Sequence, residues 1–421
     1  MQHNIPVGQL GPLGTDMADA VSQCVHCGFC LAACPTYQEL GQETDSPRGR
    51  IVLMKEVLEG TLTPEQVLPH IDPCLGCLAC EPACPSGVSY RDLISPFRAM
   101  TESKRKRPLL ERLRRMLVRN TLPYPNRFRL AVLTGRVAKP FASMVPGTLR
   151  PMLDLLPNQL PPKQTWQQTY PAQVERRAKV ALLSGCAQSV LDPDINTATI
   201  EVLTRNGVEV VVPKSQTCCG ALSWHVGDHT LARRFAEKNL QTFPTDVDAI
   251  VTNAAGCGSG MQEYELILKG TPFEQPAREF SKRVCDVSVF LDRLGNLTPV
   301  KDSGRKLRVA YHDACHLANA QGVTSEPRKL LQLIPGVEVL EIADSHLCCG
   351  SAGTYNIDQP QIASSLGTQK TNNVIQLQPD LVATGNIGCI TQLSNHLRKS
   401  QSQIPVRHTM QVLRDAYGPR Q

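Results

Sequence analysis

Apolar residues in the second half of the chain fall into short unbroken runs separated by stretches with helical spacing. AKVALLSG (178–185), VEVVVPK (208–214) and DAIVTNAA (248–255) are too short for buried helices and rich in β-branched residues, which predicts buried strands. Between them, TATIEVLTRNG (197–207) and LARRFAEKNLQTF (231–243) place apolar residues on one helical face, and the first ends on a glycine stop. Strands alternating with helices require right-handed crossovers, and so predict a parallel sheet.

The same text then recurs. RNGVEVV (205–211) is answered by IPGVEVL (334–340), VTNAAGC (251–257) by VATGNIGC (382–389), and VCDVSVFLDRLG (284–295) by VRHTMQVLRDAYG (406–418). Two copies of one α/β domain are therefore expected, over 179–300 and 301–421. Upstream, residues 105–178 hold ten of the 32 prolines, which predicts a connector with short helices at most and no strands. Residues 1–104 form a separate segment, in which SPRGRIVLMKEVLEG (46–60) predicts an amphipathic spacer helix with Arg48 and Arg50 as solvated charges.

Composition narrows the class. With 421 residues, 41% hydrophobic and 19% charged, the chain has material for several cores, and its net charge of +6 is too mild to favour nucleic-acid binding. The N-terminal stretch lacks the pattern of a secretory signal, and no apolar run reaches the roughly 18 residues needed to span a bilayer, so a cytoplasmic location is expected. In a reducing compartment, 17 cysteines point to metal rather than disulfides.

Eight cysteines lie between 24 and 84, none between 85 and 185, and nine between 186 and 389. The first eight form two copies of CxxCxxCxxxCP, the bacterial ferredoxin ligand pattern, in which the fourth cysteine serves the other cluster. One [4Fe–4S] cluster is accordingly assigned to Cys24, Cys27, Cys30 and Cys84, and the second to Cys74, Cys77, Cys80 and Cys34. Zinc, which takes separated pairs, does not explain the third cysteine or the proline. Pro35 and Pro85 are expected to turn the chain away after the last ligand.

The second block repeats in register: Cys186, Cys218, Cys219 and Cys257 correspond to Cys315, Cys348, Cys349 and Cys389. On the expected topology each set follows strand ends, the rim where open α/β sheets gather ligands. Four converging thiolates suggest a metal or cluster site in each copy, whereas a buried apolar pair or a vicinal disulfide leaves the recurrence unexplained. Gly220 and Gly350, behind each pair, free the backbone to turn sharply. His312, His316 and His346 near the second set read either as proton relays or as hydrogen-bonded structural residues, and Cys285 reads as a packing residue. Residues 103–119, SKRKRPLLERLRRMLVR, form a basic amphipathic segment suited to an anionic membrane surface or an acidic partner, with solvated linker charge as the alternative.

In order and local text the chain resembles the iron–sulfur subunits of bacterial glycolate oxidases: paired ferredoxin motifs around SPRGRI (46–51), a proline-rich connector, GCAQ (185–188), YHDACHLA (311–318), DSHLCCGSAGTY (344–355) and NIGC (386–389). Similar orders occur in the C subunit of anaerobic glycerol-3-phosphate dehydrogenase and in heterodisulfide reductase subunits. The resemblance implies an α+β multidomain protein, with an α-helical ferredoxin domain followed by two tandem α/β CCG domains. It further implies an electron-transfer role between FAD-binding partner subunits, which oxidise glycolate or D-lactate, and a quinone or other membrane acceptor, from a peripheral position on the cytoplasmic face of the inner membrane. One or two further iron–sulfur clusters would then occupy the CCG domains. Unlike the fullest heterodisulfide reductase pattern, which ends in CxxC, the motifs here end C257GSG and C389ITQ, which weakens the competing reading of a thiol/disulfide reductase.

Overall fold

The computed structural model describes residues 1–140, 147, 150–157, 159–302 and 304–418. Parts of the connector (141–146, 148, 149, 158) and of the second copy (303, 419–421) therefore lie outside the described residues.

The N-terminal part is helical, with helices Gly14–Ser22, Pro35–Leu40, Pro47–Glu59, Pro64–Ile71 and Arg91–Glu102. Local chemistry fixes where they begin. Ser46 caps the third by accepting from the Gly49 N–H with Pro47 at the first helical position, and Thr63 and Gln66 form a capping box on the fourth. Their inner faces bury Met17, Val21, Ile51, Met54, Ile71, Leu93 and Phe97. At about 1.5–3 kcal/mol for each large side chain removed from water, this core holds the two cysteine loops that lead out of the first and fourth helices.

Two expectations for this region are corrected. Pro35 opens a helix instead of diverting the chain, because its missing N–H is one that a first turn leaves unpaired. Arg50 is 1% exposed, not solvated.

The connector also departs from expectation. It contains helices of 13 and 14 residues, Leu109–Thr121 and Pro125–Ala138, because Pro108 and Pro125 stand at helix starts, where proline is tolerated. It also supplies a strand, β1 (Thr169–Tyr170), paired antiparallel with β3 (Val208–Val211). On the first helix, Arg114 pairs with Asp358, Arg115 with Glu102 and Arg119 with Asp228, so the arginines grip this same chain. Leu109, Leu113, Met116 and Leu117 face outward, as do Leu130, Leu133 and Val137 of the second helix.

The first sheet runs β1-β3-β2-β4-β5, with β2 Ala178–Leu182, β4 Ala249–Thr252 and β5 Val284–Asp286; all its pairs except β1·β3 are parallel. The second runs β7-β6-β8-β9, all parallel, with β6 Leu307–Tyr311, β7 Val337–Glu341, β8 Leu381–Thr384 and β9 Val406–His408. Without β1 the two orders are identical, as the repeated text predicts. One continuous core joins the copies, mixing Val180, Leu203 and Val251 with Val309, Leu331 and Met410, and Gln411 and Arg414 of the second copy bond Asp194 of the first.

Candidate metal centres

In the first cysteine loop His26 and Gly28 have left-handed backbones (φ 57° and 85°), and in the second loop the equivalent Gly76 and Leu78 do (65° and 60°). Only glycine adopts this region without cost, so His26 and Leu78 carry strain imposed by the loop, which turns successive N–H groups toward its concave side. The result is a small cavity lined by Cys24, Cys27, Cys30 and Cys84, and by Cys80 as well. Burial pushes the Cys30 thiol up to about 11. Cys27 and its neighbours Val25 and Phe29 are exposed, so this cavity lies at the surface.

The second set is enclosed. Cys74 accepts from the Gly76 N–H at 3.4 Å and lies 3.7 Å from the Tyr90 hydroxyl; Cys34 lies 3.3 Å from Thr36 Oγ1 and 3.9 Å from Arg50 Nη1. Burial acts upward on Cys74, but the Arg50 and Arg98 cations leave its thiol below its ordinary value. Cys77 and Cys80 are raised by burial and by the neighbouring sulfurs. All-sulfur donors, inward N–H groups and buried cations beside them suit an anionic iron–sulfur cluster. Arg50 was missed from sequence because arginine is almost never fully buried unless paired.

At the rim of the first sheet, Cys186 follows β2, Cys218 and Cys219 follow β3, and Cys257 lies in helix Ala255–Gln262 after β4. Cys186 and Cys218 sulfurs are 3.4 Å apart. Thiol hydrogens from Cys218 and Cys257 hold Cys219 well below its usual range, the state a ligand needs. Asn239 donates to the Cys218 carbonyl at 3.0 Å and the Tyr264 hydroxyl to that of Cys219 at 2.9 Å, which fixes the pair. Gly220 follows with φ 81°.

The second rim repeats this with Cys315 after β6, Cys348 and Cys349 after β7, and Cys389 in helix Ile387–Lys399 after β8. Cys315 and Cys348 sulfurs are 3.8 Å apart, and Asn386 donates to the Cys389 sulfur at 3.4 Å. Gly350 has φ 84°, and a Cβ there would meet the Ala363 oxygen at 2.6 Å. A ring nitrogen of His312 and the sulfurs of Cys349 and Cys389 all lie within 4.8 Å of one another.

The sites are not independent. Cys77, Leu75 and Ala79 of the second ferredoxin loop share one apolar cluster with Cys315 and Cys348. Asn319 donates to the Cys77 carbonyl at 3.0 Å and the Tyr355 hydroxyl to that of Pro73 at 2.7 Å, stapling the loop to the second rim. His316 meets Ser259 of the first copy at 2.7 Å and packs on His225 with ring centroids 5.0 Å apart. Burial above all pushes the His316 ring down to about 4, so it sits neutral in the seam between copies. His346 is exposed, and Cys285 is buried in β5, where burial raises its thiol to about 12, as a packing residue requires.

A profile of the 4Fe-4S dicluster domain matches residues 20–88, and one of a cysteine-rich domain matches residues 180–262 and 309–394. The chain is 38% identical to the glycolate oxidase iron-sulfur subunit of Escherichia coli, covering 95% of both chains. It is 36% identical to the probable glycolate oxidase iron-sulfur subunit of Bacillus subtilis, covering 94% of both. A crystal structure of a hypothetical protein from Helicobacter pylori shares the fold, with a TM-score of 0.50 at 11% identity over 89% of this chain and 68% of that one.

Proposed function

Because the chain belongs to the family of glycolate oxidase iron–sulfur subunits, we propose that it is the electron-transfer subunit of a complex oxidising glycolate to glyoxylate. FAD-binding partner subunits take a hydride equivalent from the alcohol carbon and a proton from its hydroxyl, two electrons and two protons in all, and this chain conducts the electrons singly toward quinone. Residues 1–104 carry two [4Fe–4S] clusters, on Cys24, Cys27, Cys30, Cys84 and on Cys74, Cys77, Cys80, Cys34. Residues 179–300 and 301–421 are the two cysteine-rich modules, joined to the first by 105–178, and offer one or two further clusters.

The observation that carries this reading is the order of the sulfur sites. The cavity of Cys24 and Cys27 is at the surface, Cys80 borders it and also joins the second set, and Cys77 packs against Cys315 and Cys348. Electrons entering beside exposed Val25 and Phe29 thus meet sulfur donors continuously into the second rim. D-lactate and glycerol 3-phosphate are the alternative substrates, because the oxidising pocket belongs to the partners. Among the described residues no helix is long and apolar enough to cross a membrane; the outward leucines of 103–119 provide peripheral contact on the cytoplasmic face.

The test is anaerobic purification of the complex, with iron counting and substrate-dependent quinone reduction. Glycolate-dependent reduction with about twelve or sixteen irons per chain is expected; about eight would confine clusters to residues 1–104. Disulfide reduction by the isolated chain, with no flavoprotein present, would overturn the reading.

A further inference from the structure

The two cysteine-rich sites share a backbone but not a donor set. Leu183 directly follows β2, and its N–H donates to the Val251 carbonyl at 3.0 Å; His312 directly follows β6, and its N–H donates to the Ala383 carbonyl at 2.9 Å. These are the same position in the two copies, on strand pairs of the same register. In the first copy the side chain is aliphatic, 2% exposed, and packs with Cys186, Cys218 and Cys219. In the second it is an imidazole, 1% exposed.

Neither ring nitrogen of that imidazole has a partner of ordinary hydrogen-bond geometry; the polar group it faces is the Cys349 sulfur. Leaving a buried polar group unsatisfied costs about 1–3 kcal/mol, and a leucine at the same place shows that an apolar residue suits the backbone. The cost has a purpose where the ring nitrogen faces a metal centre: it lies with the sulfurs of Cys349 and Cys389, all within 4.8 Å of one another. Sequence adds a second reason. Each motif ends without a second cysteine after Cys257 or Cys389, so each copy offers four thiols, and only the second has a further donor at hand.

We propose that His312 is a nitrogen ligand of an iron–sulfur cluster held by Cys315, Cys348, Cys349 and Cys389, so that the second site is mixed nitrogen and sulfur while the first is all sulfur. This rests on the reading that the cysteine-rich sites bind clusters. A neutral imidazole supplies a further donor without the added negative charge that a fifth cysteine thiolate would bring, which keeps the reduction potential above that of a five-thiolate site. Lys370, buried near Cys348 and Cys349 with its ammonium donating to the Asp344 carbonyl, works in the same direction. Gly220 packs on Ala232 as Gly350 does on Ala363, so the neutral Asn239 takes the corresponding place in the first copy. The second site, already stapled to the Cys77 loop, is therefore the more oxidising of the two.

The test uses the full chain, purified anaerobically after 15N-histidine labelling, as wild type, His312→Leu and His312→Cys. Pulsed EPR of the wild type is expected to show histidine nitrogen coupled to one cluster signal. His312→Leu should lose that coupling, while the ferredoxin signals persist. His312→Cys should keep the iron content, lose the coupling and shift that cluster to lower potential; it serves as the control where the leucine variant fails to load. Absence of histidine coupling in wild type, its persistence in both variants, or zinc in place of iron at this site would overturn the proposal. An iron count of about eight in the wild type would instead mean that the broader reading of the cysteine-rich sites has failed.

Discussion

Arg50 Nη1 lies 3.9 Å from the sulfur of Cys34, inside a helical core where no other guanidinium among the described residues is so completely buried. Its Nε donates to the His70 carbonyl at 2.7 Å, Nη1 donates to Thr36 at 2.9 Å, and Asp45 lies 3.6 Å from Nη2. The cation therefore joins the helix that follows the first cysteine loop to the helix that leads into the second, and its charge lies beside Cys34 and lowers the Cys74 thiol.

Replacing Arg50 by alanine removes the buried cation beside Asp45, leaving that carboxylate only His70 Nδ1 at 3.2 Å, and should destabilise the chain by about 3 kcal/mol, measured by urea unfolding. The second cluster should also be lost selectively, read as about four irons fewer per chain. Arg50→Lys keeps the charge but not the forked donors, and should retain iron while unfolding more readily. Equal iron in Arg50→Ala and wild type would show that the cation has no part in holding the cluster.

Cys77 marks the junction between the ferredoxin loop and the second rim. In the proposed complex, Cys77→Ser should abolish glycolate-dependent quinone reduction, while the flavin proposed for the partners and the cluster proposed on Cys24, Cys27, Cys30 and Cys84 remain reducible. Stopped-flow absorbance after glycolate addition separates these steps; continued quinone reduction would mean that electrons bypass this loop.

These residues show how much of the protein is legible in its sequence. The ligand spacings and the period of the repeat are local patterns, so both the paired loops and the two sheets were readable. Direction was not. Helical periodicity places Arg114, Arg115 and Arg119 together but does not reveal that Asp358, Glu102 and Asp228 receive them. Nor does a two-residue edge strand such as Thr169–Tyr170 leave a periodic signal. The pairing of Cys77 with the second copy rather than the first depends on contacts about 240 residues apart, which no window contains. His312 was visible as a histidine near cysteines; that its ring is buried against the sulfurs of Cys349 and Cys389 was not.

Glu263 gives a pH dependence with a defined sign. Burial raises its carboxyl to about 7, against the opposing influence of Arg91 and of Trp224 Nε1–H, which donates to it at 2.8 Å. The folded chain thus holds a proton that the unfolded chain releases near 4.5. The stability from this group is fully present below 4.5 and is lost as pH rises through 7. Glu263→Gln, which keeps an acceptor for Trp224, should be more stable than wild type by about 3 kcal/mol at pH 8, with the gap closing toward pH 4.5. Urea midpoints at pH 5 and pH 8 test this; an equal shift at both would refute it.

Attachment to a membrane is the point at which the structure changes the expected physics most. A basic helix lying on anionic lipid would lose its grip as salt rises, because surface charges beyond about 10 Å are screened at 0.1 M. Here Arg114, Arg115 and Arg119 are occupied within the chain, and the outward side presents Leu109, Leu113, Met116 and Leu117. Binding carried by apolar burial is insensitive to screening and scales with area, at about 25 cal/mol per Å². Vesicle flotation should therefore be largely unchanged between 0.1 and 0.5 M salt, and Leu113→Glu with Leu117→Glu should weaken it roughly a hundredfold. Replacement of Arg114 should act instead through stability, because it removes the pair with Asp358. Flotation that collapses with salt and survives the leucine changes would return the contact to the basic face.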